Sequence, residues 1–245
     1  MKILLSGANG RMGQCLAGYL SHRPDCTIVA GVDTAPSSGL GFPVYDDLSN
    51  ISQRADVLID FSVPEATQNA LLYCAEKGLP CVICTTGLPE SVLHTMRFAA
   101  CETAVFCSAN LSLCVSLMQE LCRQAAQTLG MDVAIDIVEA HHSEKKDSPS
   151  GTALSLAQAL SESGERQICT ETPIPRRRDQ IVIHPMRAGN LIGEHTVLFT
   201  GQNEQFLLRH TVYSREIFAA GALAAAEFLI GKPPGLYKMK DLIKK

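Results

Sequence analysis

The feature that most constrains this chain is a glycine turn set between a strand and a helix. Lys2 to Ser6 is a short apolar run, and Gly7-Ala8-Asn9-Gly10-Arg11-Met12-Gly13 follows it. Met12, Leu16 and Leu20 then recur at helical spacing, and a second apolar run from Thr27 to Val32 ends at Asp33. Strand, glycine turn, helix, strand and acid, in that order, form the context of a dinucleotide fingerprint. The glycines allow the tight turn, the helix aims its free amides at a pyrophosphate, and the carboxylate accepts from the adenosine ribose. The spacing is G-x-x-G-x-x-G rather than G-x-G-x-x-G, so the order of elements carries the reading. A carboxylate at Asp33, followed by Thr34 and not by arginine, takes a 2′-hydroxyl and repels a 2′-phosphate. NAD is therefore expected to bind at least as well as NADP, with Arg11 as the cation that could rescue NADP.

Apolar runs at Asp56–Phe61, Pro80–Cys84 and Ala104–Cys107 alternate with helical segments opening at Pro64-Glu65 and near Pro89-Glu90. Continuous buried strands separated by helices predict a doubly wound parallel sheet covered on both faces. After Asn110 the pattern changes. Leu113, Leu117, Leu121 and Ala125 mark one long amphipathic helix. Strand-like runs then follow at Val133–His142, Gln180–Arg187, His195–Thr200 and Phe206–Tyr213, with a short helix at Ala153–Leu160. The tail returns to helix at Ile217–Leu229. The expected fold class is α/β, a Rossmann-type doubly wound sheet with a second α+β domain. Residues 1–108 and 215–245 form the first domain and 109–214 the second.

With 245 residues, 46% of them hydrophobic, the chain can bury a core without disulfide or metal staples. A net charge of −4 excludes a basic nucleic-acid footprint. The longest apolar stretch, Phe218 to Ile230, contains Glu227 and falls short of a bilayer span, so no membrane partner is expected. No secretory pattern follows Met1-Lys2, which gives a cytoplasmic expectation. Ten cysteines, mostly in apolar segments, then read as free thiols used as small core residues. Arg176-Arg177-Arg178, in a Pro-rich loop, reads as solvated surface.

The densest polar passage runs from Glu139 to Ala153, EAHHSEKKDSPSGTA. Ser150-Gly151-Thr152 precede a helix and offer amides and hydroxyls to an anion such as a substrate carboxylate. His141 exchanges a proton near neutrality, and Lys145 adds a cation within a turn of it. His142-Ser143-Glu144 and Pro80-Cys81-Val82-Ile83-Cys84 also spell the halves of a zinc-deaminase signature, but in the wrong order. Residues three apart on a strand face opposite sides, so Cys81 and Cys84 cannot share a metal there, and no metal is expected.

Several segments occurring in one order resemble a known family. They are Gly7 to Gly13, Asp60-Phe61-Ser62-Val63-Pro64-Glu65, Cys84-Thr85-Thr86-Gly87, Ala109-Asn110-Leu111-Ser112, Glu139 to Ala153, Arg187-Ala188-Gly189 and Gly193-Glu194-His195-Thr196. They resemble the 4-hydroxy-tetrahydrodipicolinate reductase (dihydrodipicolinate reductase) family of bacterial lysine biosynthesis, from the first strand to the last helix. The resemblance implies a nucleotide domain, and a substrate domain whose sheet assembles a homotetramer. It implies cofactor contacts, to NADH or NADPH, at Gly7, Ala8, Asn9, Gly10, Arg11, Met12, Asp33, Cys84, Thr85, Thr86, Ser108, Ala109, Asn110 and Leu111. It also implies His141 as catalytic acid with Lys145 as second proton donor, and contacts from His142, Ser150, Gly151 and Thr152 to a small dicarboxylate substrate. The implied reaction reduces a cyclic unsaturated imine dicarboxylate. Cys84, Leu111 and Thr34 depart from the usual family residues, at positions that bear on the cofactor. A dehydrogenase of another small imino or oxo acid is the alternative, and a non-catalytic NAD sensor is opposed by the passage from His141 to Thr152.

Overall fold

The computed structural model describes residues 1–35, 39–162 and 166–243. Contacts divide it into two compact units, Met1–Ser112 with Arg215–Lys245, and Leu113–Ser214. The division falls at 112/113, beyond the expected 108/109, because Leu111 is buried in the first unit's core.

In the first unit seven strands pair in parallel throughout. They are β1 (Lys2–Ser6), β2 (Thr27–Val32), β3 (Val44–Tyr45), β4 (Val57–Asp60), β5 (Cys81–Ile83), β6 (Ala104–Cys107) and β12 (Gly235–Tyr237), in the order β12-β6-β5-β4-β1-β2-β3. Alternate side chains of each strand enter different cores. Ile3, Leu5, Ile59, Val82 and Phe106 pack with Leu16 of α1 (Arg11–Leu20) and with Ala222, Leu223 and Ala226 of α6 (Glu216–Leu229). Leu4, Leu58, Ile83 and Val105 pack with Leu71 and Cys74 of α2 (Pro64–Lys77) and Met96 of α3 (Glu90–Glu102). Cys81 and Cys84 fall into these two different cores, on opposite faces of the sheet. β3, β12 and α7 (Met239–Ile243) carry too few residues to show a period in the sequence.

The second unit has one five-stranded mixed sheet, ordered β11-β10-β7-β9-β8. Its strands are β7 (Ala134–His141), β8 (Gln167–Cys169), β9 (Gln180–Arg187), β10 (Gly193–Thr200) and β11 (Gln205–Val212). β7 pairs parallel with β9 and antiparallel with β10. One face is covered by α4 (Leu113–Leu129) and α5 (Gly151–Ser161), over Ile135, Ile137, Ile181, Ile183, Val197 and Phe199. Two expectations need correction here. Helix α4 forms, but Met118, Cys122 and Ala126 face the core, while Leu113, Leu117 and Leu121 are exposed. Small and sulfur-bearing residues fit the close approach to the sheet. Arg176 is not a solvated residue: its guanidinium holds both oxygens of Asp136 at 2.6 Å and the Ile135 carbonyl at 2.7 Å, tying the Pro-rich loop to β7. Arg177 pairs with Asp179 at the surface, as expected for that run.

The return of α6 rests on one contact without room. A Cβ on Gly221 would lie 1.9 Å from the Leu111 carbonyl oxygen. Gly221→Ala is therefore expected to lower stability by roughly 1–3 kcal/mol or more. Gly18→Ala, at an exposed position of α1 with nothing within 4 Å of its added Cβ, is expected to raise it by about 0.5–1 kcal/mol. Paired thermal melts check the contrast: equal and small shifts in both variants would remove the role assigned to the Gly221 contact.

Candidate functional site

The first candidate site lies at the carboxyl ends of β1 and β4, between which the strand order reverses. That is the place where open parallel sheets bind ligands. A cleft of about 910 Å³ is lined there by Ser6, Gly7, Asn9, Gly10, Asp33 and Phe61, among others. Gly7 has φ +75°, and a Cβ on it would strike the Phe61 carbonyl at 2.5 Å. A Cβ on Gly13 would lie 2.2 Å from the Gly7 oxygen. The first and third glycines of the motif are thus sterically required, one for the turn and one for closure of α1 against it. Gly10 caps α1 without any side-chain bond, which leaves the first-turn amides without a side-chain cap. Asp33 accepts from the Asn9 amide at 2.8 Å and from the Thr34 amide at 2.8 Å, so it orders the turn as well as facing the cleft. Carboxylates continue along the lining at Asp46, Asp47, Glu65 and Glu76, with no lysine or arginine among the described lining residues. These glycine positions and the Asp33 carboxylate fit a dinucleotide.

The remaining expected cofactor positions do not line that cleft. Ala8 is fully buried, and Arg11 and Met12 lie in the first turn of α1, Arg11 exposed. Cys84 and Leu111 have their side chains in the core, so these two departures add no bulk at the surface. Burial holds the Cys84 thiol well above its ordinary pKa. Thr85 is buried and bonds Asp60 at 2.8 Å, whereas Thr86 and Ala109 are exposed. Ser108 and Asn110 turn the chain after β6: the Ser108 hydroxyl donates to the Asn110 carbonyl at 2.6 Å, and Asn110 Oδ1 accepts from the Ser112 amide at 2.8 Å. Asp60 was not singled out by chemistry in the sequence. It is fully buried, and its carboxylate gathers the hydroxyls of Ser62 at 2.5 Å, Thr67 at 2.6 Å and Thr85. In the sequence it stood only as the acid ending an apolar run and heading one of the resembling segments.

The second candidate site lies in the second unit, at the end of β7. Glu139 and His141 are two residues apart on that strand, hence on one face. Glu139 is 0% exposed, and its Oε2 lies 2.5 Å from His141 Nδ1. Arg187, at the end of β9, donates to both Glu139 oxygens at 3.0 Å. The Ser150 amide adds a third donor at 3.0 Å. The Ser150 hydroxyl caps α5 by accepting from the Ala153 amide at 3.2 Å and lies 3.0 Å from His195 Nε2. His195 in turn stands edge-on to the His141 ring. Ser150 is thus turned inward. Its amide and hydroxyl are both engaged within the protein, at the cap that shapes the start of α5. At that same start, Lys145 Nζ holds Asp147 at 2.8 Å. Partial burial raises the Asp147 carboxyl, but Lys145 and the Gly151 amide outweigh it and leave the group below its usual range. His142 and Thr152 are half-buried and Gly151 is exposed.

Two groups among the described residues approach metal-ligand spacing, Glu139–His141–His195 and Asp25–Cys26–Glu227. In each an arginine already holds the carboxylates, Arg187 in the first and Arg23 in the second. The first group is suited to moving a proton. Burial raises Glu139, yet bonds from Arg187, His141 and the Ser150 amide bring it below its ordinary value. Burial lowers His141 and Glu139 opposes that, with a net fall. Burial, aided by charge on His141, pushes His195 down to about 3. Between about pH 6.5 and 3 the unfolded chain binds a proton at this histidine that the native one refuses. Stability should therefore fall on acidification through that window, by up to about 1.4 kcal/mol per pH unit from this group. Urea titrations at several pH values should show a shallower fall in His195→Gln; an unchanged slope would remove His195 as the source.

The chain matches the family described as "Dihydrodipicolinate reductase, N-terminus" over residues 1–111 and "Dihydrodipicolinate reductase, C-terminus" over residues 114–243. Relatives named 4-hydroxy-tetrahydrodipicolinate reductase include one from Caldanaerobacter subterraneus subsp. tengcongensis, 45% identical over 100% of this chain and 99% of its own. Another, from Clostridium tetani, is 38% identical over 99% of this chain and 97% of its own. A solved structure described as dipicolinate-bound dihydrodipicolinate reductase from Paenisporosarcina sp. TG-14 shares the fold, with a TM-score of 0.81 at 24% identity over 97% of each chain. With both halves matched in order and full-length relatives at this identity, the chain belongs to the dihydrodipicolinate reductase family.

Proposed function

We propose that this chain is an NAD(P)H-dependent 4-hydroxy-tetrahydrodipicolinate reductase of the diaminopimelate route to lysine. It would reduce the unsaturated cyclic imine dicarboxylate, formed from the hydroxylated precursor by loss of water, to tetrahydrodipicolinate. The observation that carries this reading is His141, backed by the buried Glu139 carboxylate and placed on the same unit as the Lys145 cation and the N-terminus of α5. That set suits protonation of a dianion. The Gly7–Gly13 turn, Asp33 and the loops at Cys84–Thr86 and Ser108–Leu111 would hold the nicotinamide nucleotide. When bound, that group supplies the hydride. Reduction of a conjugated imine leaves an electron-rich enamine, which His141 protonates with Lys145 assisting. His142, Ser150, Gly151 and Thr152 hold the substrate carboxylates, and no metal is needed for such a step. Division of labour between a nucleotide domain and a substrate domain, at 1–108 with 215–245 and 109–214, belongs to this reading.

NADH is expected to serve at least as well as NADPH, because Asp33 and the other acids along the cleft oppose a 2′-phosphate. The second sheet also suggests a homotetramer. Its face away from α4 and α5 carries Val138, Leu198, Leu207 and Met186, a surface suited to burial against other copies. Among the described residues no helix is long and apolar enough to cross a membrane. All ten cysteines are free, which suits the cytoplasm.

Coupling the chain to the preceding synthase, with pyruvate and aspartate semialdehyde supplied, should give NADH oxidation above the no-enzyme control; none would refute the activity. His141→Gln should lower turnover roughly 10²–10⁴-fold with NADH affinity kept. Thr152→Val should act chiefly on the Michaelis constant for the imine. Near-normal turnover in His141→Gln would move the acid role to Lys145 or to water. For the cofactor, calorimetric titration should show NADH binding at least as tightly as NADPH, and Asp33→Ala narrowing any difference. A clear preference for NADPH in the unaltered chain would overturn the charge argument.

A further inference from the structure

Glu139 is not among the residues expected from sequence to act, yet it has the most complete set of partners in the second unit. Oε2 meets His141 Nδ1 and Arg187 Nη1, while Oε1 meets Arg187 Nη2 and the Ser150 amide. We infer that Glu139, clamped by Arg187, is the positioning residue of the proton donor: it accepts Nδ1–H of His141 and so makes Nε2 the atom that gains and loses the proton. This deepens the proposed reductase reading and rests on it for the identity of the reaction.

An ionised carboxylate only accepts, so the nitrogen facing it must carry hydrogen. The two-point clamp from Arg187 keeps Glu139 in its anionic form and unable to take the proton for itself. A second observation concerns the other ring nitrogen. A Cβ on Gly193 of β10 would lie 3.1 Å from Nε2 and 3.4 Å from Cδ2. The glycine makes room for the imidazole beside β10, with Nε2 turned away from Glu139, and any side chain there would crowd that nitrogen. During turnover the imidazolium gives its Nε2 proton to the substrate carbon and is left as the neutral Nδ1–H tautomer. Solvent then restores the proton at Nε2. The charged and titratable groups around His141 are Glu139 on β7, Arg187 on β9, His195 on β10, and Lys145 with Asp147 in the following loop. Of these, Glu139 is in direct contact with the ring and favours its cation.

The test has one arm that needs no turnover. Nitrogen-15 NMR of histidine-labelled full-length protein, without substrate, should show neutral His141 as the Nδ1–H tautomer. An Nε2–H tautomer would overturn the inference, whether or not the chain reduces the imine. In the second arm, Glu139→Gln should lower kcat by about 10²-fold or more at neutral pH, as loss of tautomer control does in other acid–base sites. The Michaelis constant for NADH should be unchanged. Loss of the negative charge should also move the descending limb of kcat to lower pH, so that acidification restores part of the activity. A uniform fall with an unmoved pH profile would make Glu139 a scaffold residue only, and would overturn the inference. Gly193→Ala should cut turnover while the Nδ1–H signature stays in place; normal turnover in this variant would mean that Nε2 is not the working atom.

Discussion

Parallel pairing of β1 with both β2 and β4 is the constraint from which the first unit follows. Parallel neighbours cannot be joined by a tight hairpin, so the chain must cross over between them, and helices are the compact way to do so. The crossovers leave β1 on opposite sides of the sheet, and its carboxyl end becomes the place where the loops diverge. Each strand then has to be apolar on both faces, which is why Ile3 and Leu5 enter one core and Leu4 the other. Once that is set, the turn after β1 has little freedom. Gly7 must pass under the Phe61 carbonyl and Gly13 must close on Gly7. The cleft is thus a consequence of sheet topology, and its glycines are fixed by steric contact within the protein before any ligand is considered.

A buried carboxylate organises the strand end at the candidate site of each unit. Asp60 ends β4 and collects three hydroxyls, from the loop after it, from α2 and from the Thr85 segment. Glu139, near the end of β7, collects an arginine, an imidazole and the amide that heads α5. Removing Arg187 from Glu139 leaves a charge in a dry place at a cost of about 3–5 kcal/mol. The two clusters differ in what they can do. Hydroxyls around Asp60 fix loop geometry. The imidazole and arginine around Glu139 set a protonation state as well.

Legibility in the sequence followed the range of the signals. The β–turn–α–β unit, the helices at 64 and 90, and the strand at 180–187 were readable, because each depends on near neighbours and on a clear period. The resemblance then supplied the family, through segments scattered along the whole chain. The buried face of α4 was misleading, since the strongest four-residue repeat, Leu113, Leu117 and Leu121, points outward. Periodicity identifies a helix and an apolar stripe, but not which of two stripes a particular sheet covers. Arg176 was misread for a related reason: three consecutive arginines look alike until Asp136, forty residues away in sequence, is placed beside one of them.

The polar cluster shows the same limit at the level of chemistry. His141 and Lys145 were legible because both lie in one dense passage, and the cap at Ser150 because it precedes an apolar run. Arg187 and His195 reach His141 only through the pairing of β7 with β9 and β10, where His141 stands opposite Arg187, and Glu139 opposite His195. Register, not spacing, makes them neighbours. Ser150 then couples the parts, since its amide donates to Glu139 and its hydroxyl oxygen accepts from the Ala153 amide in the first turn of α5. The group that steadies the imidazole and the helix start that faces an anion are therefore held by the same residue, and a shift in one must be felt by the other.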